Sequence, residues 1–408
     1  MKCRHCAHPL ALLLIDLGTA PPSNAYLTRD RLSSPERRYP LRVLVCDRCW
    51  LAQTEDFAHA HELFDAEYAY FSGTSTSWLA HAERYVADMV NRFGLGPQSR
   101  VVEVAANDGY LLQYVKQRGI PCTGVEPTAS TAAAARSKGI DIVPEFFGTR
   151  LAAQMVAQGL QADLTAANNV LAHVPDINDF SAGFAALLKP HGVATFEFPH
   201  LMRLMEDAQF DTIYHEHFSY LSLTVVHTIF RGAGLRIFNV QRIPTHGGSL
   251  RVFAQRADTG SQPVQPAVAA MLADEERAGV RTATYYATLQ PRAERIRDDL
   301  LRFLQGAKSE GKVVAAYGAA AKGNTLLNFA GVGADLIRYT VDLSPSKQGK
   351  FMPGSRIPIV GKDALTRERP DYLLVLPWNI IDEIEGQNQD LIGQGTRFVT
   401  AVPELRIR

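Results

Sequence analysis

The chain has 408 residues, 46% hydrophobic and 21% charged, an ordinary composition for a soluble globular protein but too long for one core. Its 42 basic and 42 acidic side chains leave a net charge of +0, which argues against a nucleic-acid surface, since that needs a basic stripe. No apolar run approaches the ~20 residues of a membrane span, and no solenoid-period repeat or low-complexity tract is visible.

Residues 1–64 hold two Cys-x-x-Cys pairs, Cys3/Cys6 and Cys46/Cys49. A two-residue gap lets both thiolates of a pair point into one turn, and two such turns complete the tetrahedral sulfur shell that suits zinc. Such a metal would fold a short, loop-rich segment that has little core of its own. Disulfides are the alternative. The start Met1-Lys-Cys-Arg-His-Cys6 carries no apolar leader, so a cytoplasmic, reducing setting and a bound metal fit better. Four sulfurs close the shell, so the expected role is structural. His5 and His8 are expected to face solvent, and Cys122 to be a buried strand thiol. The turn-rich stretch 16–24 and a strand ending near Cys46 complete a zinc-ribbon-like unit.

Helical spacing predicts a helix over 78–93, stopped by Gly94. Strands at 100–104, 123–126, 140–143, 163–168 and 192–198 then alternate with helices at 110–118, 130–138, 149–158 and 180–188. This alternation means a parallel sheet with helices on both faces. A long charged helical segment follows over 264–305. Strand patterns resume at 312–317, 337–342 and 372–376, with a small-residue turn at 318–325 opening a helix. The fold class is therefore α/β in three domains: a zinc module (1–64), a Rossmann-like middle domain (65–256) and a second Rossmann-like domain (257–408).

Three constellations carry chemistry. In the first, Glu103 in a strand is followed by Ala105, Asn107, Asp108 and Gly109, small residues that let backbone approach a ligand. Glu126 ends the next strand, placed to accept from ribose hydroxyls, and Asn168 ends the fourth. This layout suits an adenosine-containing ligand, although the loop alone reads equally as any tight strand–helix turn. The second is Tyr214-His-Glu-His217, with Tyr220 nearby. His-x-His places its two rings apart around a helix, which disfavours a metal site. It is either a polar helix start or a proton-transfer site, since imidazole titrates near neutrality. His173 is either a polar loop residue or a partner in that chemistry. The third is His246-Gly-Gly-Ser-Leu-Arg251 with residues 317–324, where free amides and Lys322 suit phosphate. The alternative is a vestigial nucleotide fold without a ligand.

Glu103-x-x-x-Asn-Asp-Gly109, Glu126, the 168–175 segment, Tyr214-His-Glu-His217, His246-Gly-Gly-Ser249, residues 317–324 and the cysteine pairs together resemble the sugar C-methyltransferases, a family of class I S-adenosylmethionine methyltransferases. The resemblance covers nearly the whole chain. It implies a cytoplasmic enzyme of deoxysugar biosynthesis that methylates C-3 of a TDP-linked 4-keto-deoxyhexose and uses S-adenosylmethionine and a structural zinc ion. It implies that His217 is the base, that Glu216 and Tyr214 contact the sugar, and that His173 polarises the ketone. The 103–109 loop would cradle the cofactor's methionine end, with Asn168 nearby, Glu126 on the ribose, and Phe146 or Phe147 on adenine. Tyr68 and Tyr70 would cover the site, or simply pack between domains. His246, Gly248, Ser249, Arg251, Tyr317, Ala319, Lys322 and Asn324 would hold the substrate's diphosphate, with Asp342, Lys347 and Lys350 adding base or ribose contacts. One departure is Ala105, where glycine is expected, its methyl crowding the cofactor. Methylation at another carbon such as C-5, or of another nucleotide sugar, is the enzymatic alternative. A non-catalytic zinc-ribbon scaffold is the other, and the presence of Glu103, Glu126 and His217 argues against it. The partner expected is a small molecule, not a nucleic acid or a membrane. Oligomeric state is open, and a monomer is compatible with every motif.

Overall fold

The computed structural model describes residues 1–55, 57 and 71–408, so Tyr68 and Tyr70 lie outside the described residues. In the N-terminal module, β1 (Leu12–Ala20), β2 (Tyr39–Val45) and β3 (Ala52–Thr54) pair antiparallel in sequence order. Helix α1 (Thr76–Phe93) follows, capped by the Ser75 side chain accepting from the Trp78 amide and ended by Gly94 in the left-handed region.

Next come β4 (Val101–Val104), α2 (Leu112–Gln117), β5 (Cys122–Val125), α3 (Ala129–Ser137), β6 (Asp141–Val143), α4 (Thr149–Ala157), β7 (Ala162–Asn168), α5 (Ile177–Leu187) and β8 (Leu188–Pro199). After α6 (Leu201–Glu206), β9 (Ser219–Tyr220) and α7 (Leu223–Gly232), the hairpin β10 (Leu235–Ile243) and β11 (Ser249–Arg256) returns to the sheet. The sheet order is β10-β11-β8-β7-β4-β5-β6, parallel from β8 through β6 and antiparallel at β11 and β10. The order reverses between β4 and β7, where an open α/β sheet leaves a crevice at its carboxyl edge. β9 pairs with β3, so the segment after β8 crosses to the N-terminal sheet and stitches the two domains together.

The expected long helix over 264–305 is instead three: α8 (Pro266–Ala278), α9 (Ala283–Tyr286) and α10 (Leu289–Ser309). Gly279, left-handed at φ 89, ends the first. Val268 and Met271 of α8 share a core with Phe196 and Phe230, so the middle domain's packing extends past residue 256. The last domain contains β12 (Val314–Tyr317), α11 (Ala321–Ala330), β13 (Thr340–Val341), β14 (Ile359–Val360), α12 (Ala364–Arg367), β15 (Tyr372–Val375), α13 (Ile381–Gly386), α14 (Gln389–Gly393), β16 (Arg397–Thr400) and β17 (Arg406–Ile407). Its order is β14-β13-β12-β15-β16-β17, parallel except for β17. Leu14 and Val43 of the first sheet, Leu300 of α10 and Leu374 of the last sheet belong to one continuous core.

Candidate active site and zinc centre

The four paired cysteines converge, their sulfurs all lying within 4.8 Å of one another. Cys3 and Cys49 sulfurs are 3.5 Å apart, and Cys6 and Cys46 sulfurs 3.6 Å. A tetrahedral shell with Zn–S of ~2.3 Å separates sulfurs by roughly 3.8 Å, so the donor set fits zinc. Both turns are built alike. The amide of Ala7 donates to the Cys3 carbonyl and that of Trp50 to the Cys46 carbonyl, with Ala7 and Trp50 both in the left-handed region. His5 bonds Asn178 and His8 pairs with Asp47, so neither ring joins the sulfurs. Cys122, expected to be buried, is half-buried.

At the carboxyl ends of β4, β5 and β7 opens a cavity of about 640 Å³, walled by all three domains. The cofactor side presents Ala105, Asn107, Glu126, Phe146, Phe147 and Asn168. Ala105 and Asn107 are both left-handed, at φ 60 and 48, so the loop turns as a glycine-rich one would. Glu126 accepts the Asn107 amide on one carboxylate oxygen and the Thr128 amide on the other, both at 2.9 Å. Each oxygen keeps a lone pair for a further donor. The Asn168 side-chain amide is buried with no hydrogen-bond partner among the described residues. Such a group costs stability unless a ligand completes it. Phe147 is committed to Phe180 and Phe184, whereas the Phe146 ring is 56% exposed and available for stacking. These groups fit an adenosine-bearing cofactor.

Other members of the expected loop are not on the wall. Glu103 lies wholly buried behind it, and burial pushes its carboxyl well above the usual range. Asp108 is spent on the Gly73 amide and Lys138. Gly109 brings the loop against α3 and Ile140, where a Cβ would stand 2.4 Å from the Ile140 methyl.

The second face of the cavity holds His173, Tyr214 and His217. His217 Nδ1 is 2.9 Å from the Thr212 carbonyl, which only accepts, so the proton sits on Nδ1 and the lone pair on Nε2. Burial holds the ring well below the ordinary histidine range, keeping it neutral. The Tyr214 ring lies tilted against it at 4.0 Å, and the His173 ring meets it edge-on at 4.5 Å. His173 Nδ1 donates to the Glu216 carbonyl, and burial lowers its pKa to about 4. His215 turns to the Pro40 carbonyl and the Tyr39 ring. The Glu216 carboxylate is not on the wall. It is buried behind Asn24, whose side chain bonds it and itself lines the cavity.

The third face adds His246, Ala320, Lys322 and Lys347. His246 bonds Asn169 through Nε2 and packs against Trp78. Several residues expected at the phosphate are engaged elsewhere. Arg251 is buried against Glu197 at 2.6 Å, because a charge out of water needs a partner. Ser249 bonds the Thr245 carbonyl, and Gly248 makes room for Arg203. Asn324 ties to the Ser23 carbonyl, Tyr317 is buried in a core, and Lys350 does not line the cavity. The Ala319 amide donates to Asp342, which pairs with Lys347. Sequence reading passed over Trp78, Asn24 and Asn169 as wall residues. Trp78 carries only the signal of a helical apolar position, and no local pattern marks it.

Similar solved structures include the 1,6-didemethyltoxoflavin-N1-methyltransferase of Burkholderia thailandensis, at 18% identity and TM-score 0.36, covering 51% of this chain and 96% of that one. The magnesium protoporphyrin IX methyltransferase of Synechocystis PCC 6803 is 16% identical at TM-score 0.34, covering 44% of this chain and 79% of that one. Family models match a zinc binding domain at residues 3–64, a methyltransferase domain at 78–240 and a C-methyltransferase C-terminal domain at 244–403. The C-methyltransferase NovU of Streptomyces niveus is 36% identical over 406 residues, which span 100% of this chain and 96% of that protein. This chain belongs to the C-methyltransferase family: it is an S-adenosylmethionine-dependent methyltransferase with a zinc-binding N-terminal domain.

Proposed function

We propose that the protein methylates a carbon next to the ketone of a nucleotide-linked 4-keto-deoxyhexose, with TDP as the nucleotide and C-3 as the carbon. The observation that carries this reading is His217, a buried neutral imidazole with its proton fixed on Nδ1 and its ring on the cavity wall. A proton next to a ketone is weakly acidic, and a neutral Nε2 is suited to take it. S-adenosylmethionine, when bound, supplies the electrophilic methyl group. Glu126 is assigned to its ribose, Phe146 to its adenine and Asn168 to its open polar edge. Tyr214 packs against the base and is assigned to the sugar, and His173 faces the same space. We assign the nucleotide to the C-terminal wall, where the amides opening α11 favour phosphate.

The test uses His217→Asn in the full chain. Turnover should fall ~10²–10⁴-fold while cofactor binding stays unchanged. With TDP-linked keto-sugars, mass spectrometry should find one added methyl, and carbon NMR should place it at C-3. Because burial depresses the His217 pKa, the acid limb of kcat/KM should lie below pH 6.5. Full turnover in the variant would remove His217 as the base, and an absence of methylated keto-sugar would remove the substrate class.

A further inference from the structure

Lys322 is the second residue of α11, where a cation opposes the positive end of the helix dipole. It lines the same cavity as Tyr214 and His217, and burial draws its pKa down. A position so unfavourable to a cation calls for a compensating anion. Among the described residues no carboxylate lies within ion-pair distance of its Nζ, and Asp211, bonded to the Trp378 indole, favours its charge only from beyond that distance. The ammonium donates one hydrogen bond, 2.6 Å, to the neutral Asn379 side chain, and the Trp378 ring lies beneath it at 4.9 Å. Two N–H groups remain for a ligand.

The surroundings tie this lysine to the base rather than to the phosphates. The Trp378 indole N–H donates to Asp211 at 2.7 Å. Asp211 adjoins Thr212, whose carbonyl fixes the His217 tautomer. Thr325, further along α11, donates to the Ile213 carbonyl at 2.7 Å. The turn at residues 211–213 that sets the His217 tautomer is thus clamped by Trp378 and Thr325 of the same domain that carries Lys322. The charge of Lys322 also disfavours protonation of His217 and of His246. The other lysine on the wall, Lys347, is spent on the Ala319 carbonyl and Asp342.

We infer that Lys322 is a catalytic residue: its ammonium holds the ketone oxygen of the sugar and takes up the charge that forms there. This rests on the keto-sugar reading above. In the step, the C–H bond beside the ketone breaks and its proton passes to Nε2 of His217. The electron pair becomes the carbon–carbon double bond of an enolate, and the carbonyl pair moves to the oxygen facing Lys322. A cation fixed on the cavity wall stabilises that oxygen without reorganising during the reaction.

The experiment compares the full-length zinc-loaded protein with Lys322→Met and Lys322→Arg. The first readout is exchange of the substrate's proton into heavy water with S-adenosylhomocysteine present. The second is the Kd of TDP alone. Lys322→Met should slow exchange ~10²–10³-fold, as loss of an oxyanion donor does, and Lys322→Arg should recover part of it. TDP affinity should stay within about twofold of the parent. Exchange at the parental rate in Lys322→Met overturns the assignment. So does a loss of TDP affinity equal to the loss of rate, which would make Lys322 a phosphate ligand. If Lys322→Met fails to bind cofactor, Lys322→Gln carries the same test. No exchange in the parental protein overturns the keto-sugar reading, and the Lys322 assignment with it.

Discussion

At the end of β4, Ala105 turns the chain at φ 60, and the Asn107 amide two residues on donates to Glu126 at the end of β5. At the end of β12, Gly318 turns at φ 85, and the next amide, of Ala319, donates to Asp342 at the end of β13. Each carboxylate also accepts the amide two residues ahead, from Thr128 at 2.9 Å and from Ser344 at 2.8 Å. The same device, an acid holding the turn at the sheet's switch point, thus occurs in both α/β domains. What surrounds it differs. Glu126 faces the cavity, and among the described residues no cation lies within ion-pair distance. Asp342 has Lys347 at 3.5 Å, the Tyr26 hydroxyl bonds the Ala319 carbonyl, and Pro377 packs against Gly318. The first acid is left open to a ligand, whereas the second is neutralised by Lys347 and its turn is packed over, so that only the residues opening α11 reach the cavity. The acid can therefore serve as a ligand contact only in the first α/β domain, where it faces the cavity and, among the described residues, has no cation beside it.

The largest effect on this comparison should come from the zinc module, because the turn between β1 and β2 reaches both crevices. Asn24 lines the cavity, and Tyr26 closes the second turn. Cys49→Ser should unfold the module and loosen both, since metal binding supplies ~10–16 kcal/mol to small zinc domains. Elemental analysis should find about one zinc per parental chain. A metal-free variant with an unchanged melting curve would sever the module from both crevices.

Next in size is Gly318→Ala. A Cβ there would stand 2.6 Å from Pro377 while the backbone stays left-handed. The cost should be about 2–4 kcal/mol, read by denaturant unfolding. A neutral outcome would mean that the second crevice is not packed as tightly as its contacts imply.

Much of this was legible in sequence because it is local. The cysteine spacing, the β–α alternation and the acids ending β5 and β13 each depend on a few neighbouring residues. The three-helix break at Gly279 was not, because the charged pattern of α8 through α10 runs on across it. Arg251 and Asp108 read as ligand contacts since their motifs hold the right residue types. Their partners, Glu197 and the Gly73 amide, are 54 and 35 residues away in sequence. Only the folded chain reveals that these charges are already spent. Trp78 and Asn24 reach the cavity by the same long-range route.

A matched pair of carboxylate variants tests the comparison directly. Glu126→Ala should weaken S-adenosylmethionine by about 1–3 kcal/mol, because its removal strands the Asn107 and Thr128 amides and any ribose hydroxyl it held. Asp342→Ala should leave cofactor affinity unchanged, since Asp342 does not line the cavity. Isothermal calorimetry on both decides it. Equal losses would mean that the second crevice reaches the cofactor after all.

The smallest effect should come from making the first turn resemble the second, by Ala105→Gly. A non-glycine residue in the left-handed region costs roughly 1–2 kcal/mol. Glycine gives back roughly 0.5–1 kcal/mol of that through its greater freedom when unfolded. The Ala105 methyl lies on the cavity wall, so its removal sacrifices little packing. The variant should therefore be more stable by up to about 1 kcal/mol, with turnover within a few-fold of the parent. The informative result is the opposite one. If stability rises as expected but cofactor affinity falls tenfold, the methyl touches the cofactor, and the strain at φ 60 is retained for that contact. If both rise, Ala105 only narrows a cradle that glycine would serve better, and the two crevices differ in their contents rather than in their turns.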